Sequence, residues 1–215
     1  MPESWATYRR SIGDRSPLFA AIAAAWPCDR ALYPGSYLDL SPSAAIRSVT
    51  YVDTDRRAAR FFGDRARVDA ELAEAGVDAA AREVRFLHAD YTDELPVDEA
   101  SVDLLISLFA GPVSDHCRRY LRPGGMLLAN TSHGDASLAA LHPDWMLVAA
   151  VHHRDGRYRL DTSDLDRCLV PKKPADADPG LIRERGRGVA YTRSAFAYVF
   201  RLTESAGTSD RIGPG

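Results

Sequence analysis

Hydrophobic and polar positions along the chain recur with helical spacing in some stretches and run as short apolar or alternating blocks in others. The stretch "SPLFAAIAAAW" (16–26) is apolar at helical spacing. Ser16 suits its cap, Pro17 the first helical position, and Pro27 its end. "RALYPGS" (30–36) reads as a short strand broken at Pro34-Gly35. "SPSAAI" then starts a short helix with Ser41 as cap and Pro42 just inside. "SVTYVDTD" (48–55) is rich in β-branched residues, the pattern of a buried strand. From Thr54 to about Ala75, Ala58, Phe61, Phe62, Ala66 and Leu72 recur at helical spacing, with a break near Gly63.

Further on, "EVRFLHAD" (83–90) and "SVDLLISLFA" (101–110) read as strands and "SDHCRRYL" (114–121) as a helix that stops at "RPGG". "MLLANTS" (126–132) is the next strand and "SLAAL" (137–141) the next helix. Alternation of this kind predicts a parallel sheet covered on both faces. The last third changes character. "DWMLVAAVHH" and "RYRLD" flank Arg154-Asp155-Gly156-Arg157, and Asp-Gly is a strong hairpin turn signal. "LVPKKPADADPGLIRERGRG" (169–188), rich in Pro, Gly and charge, reads as a loop. "SAFAYVFRLTE" (194–204) reads as a closing strand, with Ala195, Ala197, Val199 and Arg201 alternating against Phe196, Tyr198 and Phe200. The expected organisation is one domain over 1–204, with a helical N-terminal cap over 1–29. The tail 205–215 is expected to be disordered.

Composition narrows the function classes. The chain has 215 residues, 46% hydrophobic and 27% charged, enough for one domain with a sizeable core. A formal charge of -3 offers no electrostatic footprint for nucleic acid. Cys28, Cys117 and Cys168 are odd in number and lack CxxC spacing, which argues against a disulfide framework or zinc site. No metal ligand set is expected. No apolar run approaches the roughly 18 residues that span a bilayer, and the start has no signal-peptide pattern. The expectation is a cytoplasmic protein with no membrane partner; nothing in the sequence speaks to oligomeric state.

Four stretches carry candidate chemistry: the turn "ALYPGSYLDLSPS" after the first strand, Asp53 ending "TYVDTD", Asp90 in "FLHADYTDELP", and "ASVDLLISLFAGP" followed by "YLRPGGMLLAN". Their order resembles the class I S-adenosylmethionine (SAM)-dependent methyltransferases, over roughly residues 30–132 and more loosely the closing strands. The resemblance implies a Rossmann-like, mostly parallel seven-stranded sheet with helices on both faces and an antiparallel C-terminal hairpin. It implies SAM as co-substrate, with Asp53 on the ribose hydroxyls and Asp90 at the adenine amino group. A carboxylate at the carboxyl edge of a parallel sheet suits ribose, and a glycine admits close backbone approach. Asp53, Asp90, Ser107 and Asn130 all fall at expected strand ends on that edge. The plainer alternatives are a helix cap at Thr54 for Asp53 and a turn role for Asp90. Tyr91 either flanks the adenine or lies in a solvated loop; Ser107 and Phe109 line the cleft, or Phe109 packs in the core.

The chain departs from the family at its glycine loop, usually D/E-x-G-x-G-x-G. Tyr33 takes the acidic position, Gly35 matches the first glycine, Ser36 follows it, and Tyr37 replaces a later glycine. The rings of Tyr33 and Tyr37 either line the pocket, where an aromatic face attracts a sulfonium, or pack elsewhere. No GxGxxG supports a nicotinamide dinucleotide. The D/N-P-P-Y/F motif of amino-group methylation on DNA bases is replaced by "SLFAGP". A small-molecule acceptor is therefore expected. On the acceptor side the candidates are Asn130, His133 as a base, Tyr191 and Ser194. His152 and His153 read as surface strand residues, and the basic 169–188 loop as a lid over an anionic substrate or a solvated loop. Three functions follow: methyl transfer by in-line displacement, attack on the aminocarboxypropyl arm with release of methylthioadenosine as SAM cyclases do, or a non-catalytic binding module.

Overall fold

The computed structural model describes residues 4–203. Strands β1 (Arg30–Pro34), β2 (Ser48–Asp53), β3 (Glu83–His88), β4 (Val102–Ser107), β5 (Leu121–Ala129), β6 (Trp145–Arg154), β7 (Arg157–Asp161) and β8 (Ala197–Leu202) form one sheet. Its order is β3-β2-β1-β4-β5-β8-β6-β7. The first five strands pair in parallel, and β8, β6 and β7 complete the sheet antiparallel. This is the Rossmann-like, mostly parallel sheet with antiparallel C-terminal strands that the sequence resemblance implied, with eight strands where seven were expected. The extra strand is β7, which the Asp155-Gly156 turn folds back along β6.

Helices α1 (Trp5–Ile12), α2 (Ser16–Ala25), α3 (Arg56–Gly63) and α4 (Arg65–Glu74) cover one face, through Trp5, Phe19, Ile22, Phe61 and Leu72. Helices α5 (Val113–Cys117) and α6 (Asp135–Leu141) cover the other, through Val113, Cys117, Ala136 and Ala139. Residues 30–34, 48–53 and 102–107 form strands because apolar side chains on both faces are buried at once, as a central parallel sheet requires. Among the described residues no helix is long and apolar enough to cross a membrane.

Several expectations change. Helix α1 precedes the helix expected first and is capped by Ser4, whose hydroxyl accepts from the Thr7 N–H. Ser16 does not cap α2; it is the first helical residue, its N–H donates to Asp14, and Arg15 holds the cap position. The "RPGG" stretch lies inside β5, because Leu121 pairs with Val102 before the register shifts. Segment 169–188 is not an irregular loop. It contains a 3-10 turn (Pro174–Asp176) and α7 (Pro179–Arg185), where Asp178 accepts from the Leu181 N–H and Gly186 stops the helix in a left-handed conformation. Its proline and glycine are helix-end residues rather than breakers. The tail expected at 205–215 lies outside the described residues.

Candidate functional site

The carboxyl ends of β1 and β4 adjoin where the strand order reverses, the place at which open α/β sheets receive ligands. Gly35 leaves β1 there with φ +67, its N–H donating to the Val52 carbonyl at 2.8 Å. A Cβ on Gly35 would stand 2.8 Å from the Ala110 Cβ, so the turn after β1 and the loop after β4 touch only because Gly35 has none. Tyr37 keeps a left-handed backbone, φ +46, a conformation that favours glycine. Asp53 holds it so. Its Oδ2 accepts the Tyr37 N–H at 2.7 Å and its Oδ1 the Asp55 N–H at 2.8 Å. The cap of α3 is Asp55, accepting from the Arg57 N–H, so Asp53 is not the helix cap. An ionised carboxylate has about four acceptor sites, so two backbone bonds leave Asp53 capacity for a diol. The Tyr37 ring stands edge-on to Tyr8 of α1, with centroids 5.0 Å apart.

Tyr33 does not line a pocket. It is 1% exposed, and its hydroxyl donates to Asp39 Oδ2 at 3.1 Å. The guanidinium of Arg15 donates to the same oxygen at 3.0 Å, and Asp39 Oδ1 accepts the Ser41 N–H. Burial opposes the Arg15 charge, but Tyr33 and Asp39 outweigh it and raise its pKa. Burial and the Asp39 charge push the Tyr33 phenol up as well. The same guanidinium lies over the Phe109 ring at 4.8 Å. Sequence reasoning missed both Arg15 and Asp39 of this buried triad. The available signal was a lone carboxylate inside the apolar run "YLDLSP", since such a group must find a partner.

Around this centre, Ser36 carries a buried hydroxyl with no hydrogen-bond partner among the described residues, while the buried Ser107 hydroxyl faces the Asp135 carboxyl. Asn130 accepts on Oδ1 from the Phe109 N–H (3.3 Å) and the Ser132 hydroxyl (2.9 Å), tying the loops after β4 and β5 together. Asp90 is exposed. Its Oδ1 accepts from the N–H and hydroxyl of Thr92, which hold its carboxyl below the usual range. Tyr91 is half-buried against Gly111 and His116. His133 is exposed on the loop after β5. Tyr191, expected on the acceptor side, is instead buried with Leu138, Ile182 and Val189. The reason is α7, unseen in the sequence, which closes over it. Ser194 is exposed beside the β6–β7 hairpin, so the four acceptor-side candidates do not converge on one point. His152 and His153 belong to that hairpin; His153 stacks on Tyr158 with centroids 4.3 Å apart.

Asp135 is a further residue that sequence reasoning passed over. It is buried at the start of α6 and accepts from the N–H and hydroxyl of Ser114. Burial pushes its carboxyl up to about 6, against the pull of the Ser107 and Ser114 hydroxyls. A carboxyl raised on folding binds its proton more tightly in the native state. Its contribution is therefore fully present below the unfolded pKa and is lost as pH rises through about 6. Between pH 4 and 7 this costs on the order of 2 kcal/mol. Urea unfolding of Asp135→Asn is expected to lack that loss; equal slopes of stability against pH in both proteins would remove the assignment.

No family model matches the chain, and no curated protein matches it. Solved structures with a similar backbone include the N-methyltransferase NodS from Bradyrhizobium japonicum, at 11% identity and TM-score 0.48, covering 92% of this chain and 98% of that one. The O-methyltransferase TomG from Streptomyces achromogenes, determined in complex with SAM, aligns at 14% identity and TM-score 0.47, covering 73% and 84%. An O-methyltransferase from Bacillus cereus in complex with SAH aligns at 10% identity and TM-score 0.46, covering 89% and 81%.

Proposed function

We propose that this protein binds S-adenosylmethionine at the β1–β4 switch point and transfers its methyl group to a small molecule. The observation that carries the reading is the Asp53 carboxylate, which ends β2 and at 2.7 Å fixes the left-handed Tyr37 beside Gly35. The donor set suits a nucleoside. Asp53 offers acceptors to ribose hydroxyls, and Ser36 offers a partnerless hydroxyl at the same edge. When bound, SAM supplies an electrophilic methyl carbon on a sulfonium.

The protein's part is to bind, orient and keep water out, since in-line displacement is catalysed chiefly by positioning. Helix α1 brings Tyr8 against Tyr37 and so covers that end of the cleft. Asn130 sets the Phe109 and Ser132 backbones relative to each other on the acceptor side. Where the acceptor must lose a proton, His133 on the adjoining loop is the candidate base.

Calorimetric titration with SAM tests the reading. Asp53→Ala is expected to weaken binding by about 1–3 kcal/mol, through loss of hydroxyl contacts and of the anchor on Tyr37. Unchanged affinity would remove the cofactor assignment. Mass spectrometry then decides the bond broken: methylthioadenosine formed from SAM alone would replace methyl transfer with attack on the aminocarboxypropyl arm.

A further inference from the structure

The antiparallel strands bring a second set of groups to the carboxyl edge. The register aligns Ser107 with Ala129, Ala129 with Tyr198, and Val151 with Ala197, so the β6–β7 hairpin beyond Val151 projects past the edge that carries Asn130. A cavity of about 1020 Å³ surrounds this projection. Because it wraps the end of a two-stranded ribbon, side chains from both strand faces reach it.

One wall is aromatic. Phe196 meets Tyr158 edge-on at 5.3 Å and His153 at 5.5 Å, and His153 stacks on Tyr158; Phe109, outside the cavity lining, meets Phe196 at 6.2 Å. Phe109 is 48% exposed and held at φ +61, a conformation that L side chains rarely adopt, with the Arg15 guanidinium over its ring. A large apolar ring kept both strained and exposed by a buried cation is poorly explained by packing alone.

The opposite face of the ribbon is cationic. Arg154 stands directly opposite Arg157, and His152 directly opposite Arg159. Like charges opposite one another weaken a strand pair, and the Arg154–Arg157 pairing beside the turn is one. Asp155 lies 3.4 Å from Arg154 and Asp161 lies 3.0 Å from Arg159, while Arg157 has no ion pair among the described residues.

We infer that the hairpin cavity is the acceptor subsite and takes an anionic aromatic small molecule, its ring against Phe196 and Tyr158 and its anion toward Arg157. The role as acceptor subsite rests on the SAM reading above; the ligand chemistry does not. The cavity lines up with the sheet edge that receives the cofactor, its rings match a planar ligand, and its uncompensated positive charge matches a carboxylate or phenolate.

The test uses the full chain without SAM, titrated with 4-hydroxybenzoate and indole-3-carboxylate, and with 4-hydroxybenzamide as the uncharged counterpart of the first. At least one acid is expected to bind, with 4-hydroxybenzoate about tenfold tighter than the amide. Arg157→Gln is expected to weaken the acids about fivefold or more and to erase the preference over the amide. Phe196→Ala is expected to weaken acid and amide alike by about tenfold, with Tyr158→Leu as a second variant if the first fails to fold. Absence of binding by both acids, equal binding of the amide, or indifference to Arg157→Gln would overturn the inference. A separate SAM titration keeps the two readings apart. SAM binding without acid binding removes this site and leaves the cofactor reading; acid binding without SAM binding does the reverse.

Discussion

Asp39→Ala is expected to destabilise the protein by about 3–5 kcal/mol, the cost of leaving one partner of a buried ion pair uncompensated. Asp39 is fully buried, and its oxygens accept from the Arg15 guanidinium, the Tyr33 hydroxyl and the Ser41 N–H. Removing it strands a guanidinium that is itself 5% exposed and whose Nε already lacks a partner. Water cannot readily take its place, because Phe109 lies over the same guanidinium. For a chain of this length the loss corresponds to roughly 10 °C in Tm. Asp39→Asn keeps acceptors but not charge, and is expected to fall between wild type and alanine. Urea unfolding at neutral pH measures all three; a loss under about 1 kcal/mol for Asp39→Ala would mean that the pair does not hold this corner of the fold.

Gly188→Ala is the second large effect, on the order of 3 kcal/mol, because it overpacks a contact with no slack. Gly188 donates its N–H to the Thr131 carbonyl at 2.9 Å. A Cβ there would overlap that carbonyl oxygen and stand 2.9 Å from both the Ser137 hydroxyl and the Thr131 Cβ. Backbone sits on one side and α6 on the other, so neither neighbour can yield cheaply. The substitution is expected to lift the segment that carries α7 off the loop after β5. Tyr191, buried beneath that segment, and Ile182 on its inner face would then be exposed. Faster amide exchange confined to residues 169–191 would show this directly. Wild-type exchange rates there, with unchanged Tm, would contradict it.

These two positions also show how legible the chain is. The parallel core was readable because central strands must be apolar on both faces, so 30–34, 48–53 and 102–107 stand out in any linear scan. The Asp-Gly turn announced the β6–β7 hairpin for a similarly local reason, since both turn residues adopt positive φ. Asp53 was found from its place at a strand end. Segment 169–188 misled because Pro179 and Gly186 are end signals when a helix lies between them and loop signals otherwise. Only the burial of Ile182 against Leu138 and Val189 decides between the two.

The site was less readable than the fold. Asp39 was legible as an oddity, a carboxylate in an apolar run, but its partner Arg15 lies 24 positions earlier and no local pattern links them. Tyr33 and Tyr37, adjacent in motif, part company in space: one is sealed in the core by Asp39, the other stands edge-on to Tyr8. The sequence by itself determined the order of the strands, the buried β1–β4 core, and the carboxylate ending β2. All of these depend on periodicity and chain order. Tertiary structure alone decided that α7 would close over Tyr191 and that Arg15 would neutralise Asp39. It alone set Phe109, Phe196, Tyr158 and the hairpin arginines at one edge, because those contacts join residues far apart in the chain through long-range packing that no short window encodes.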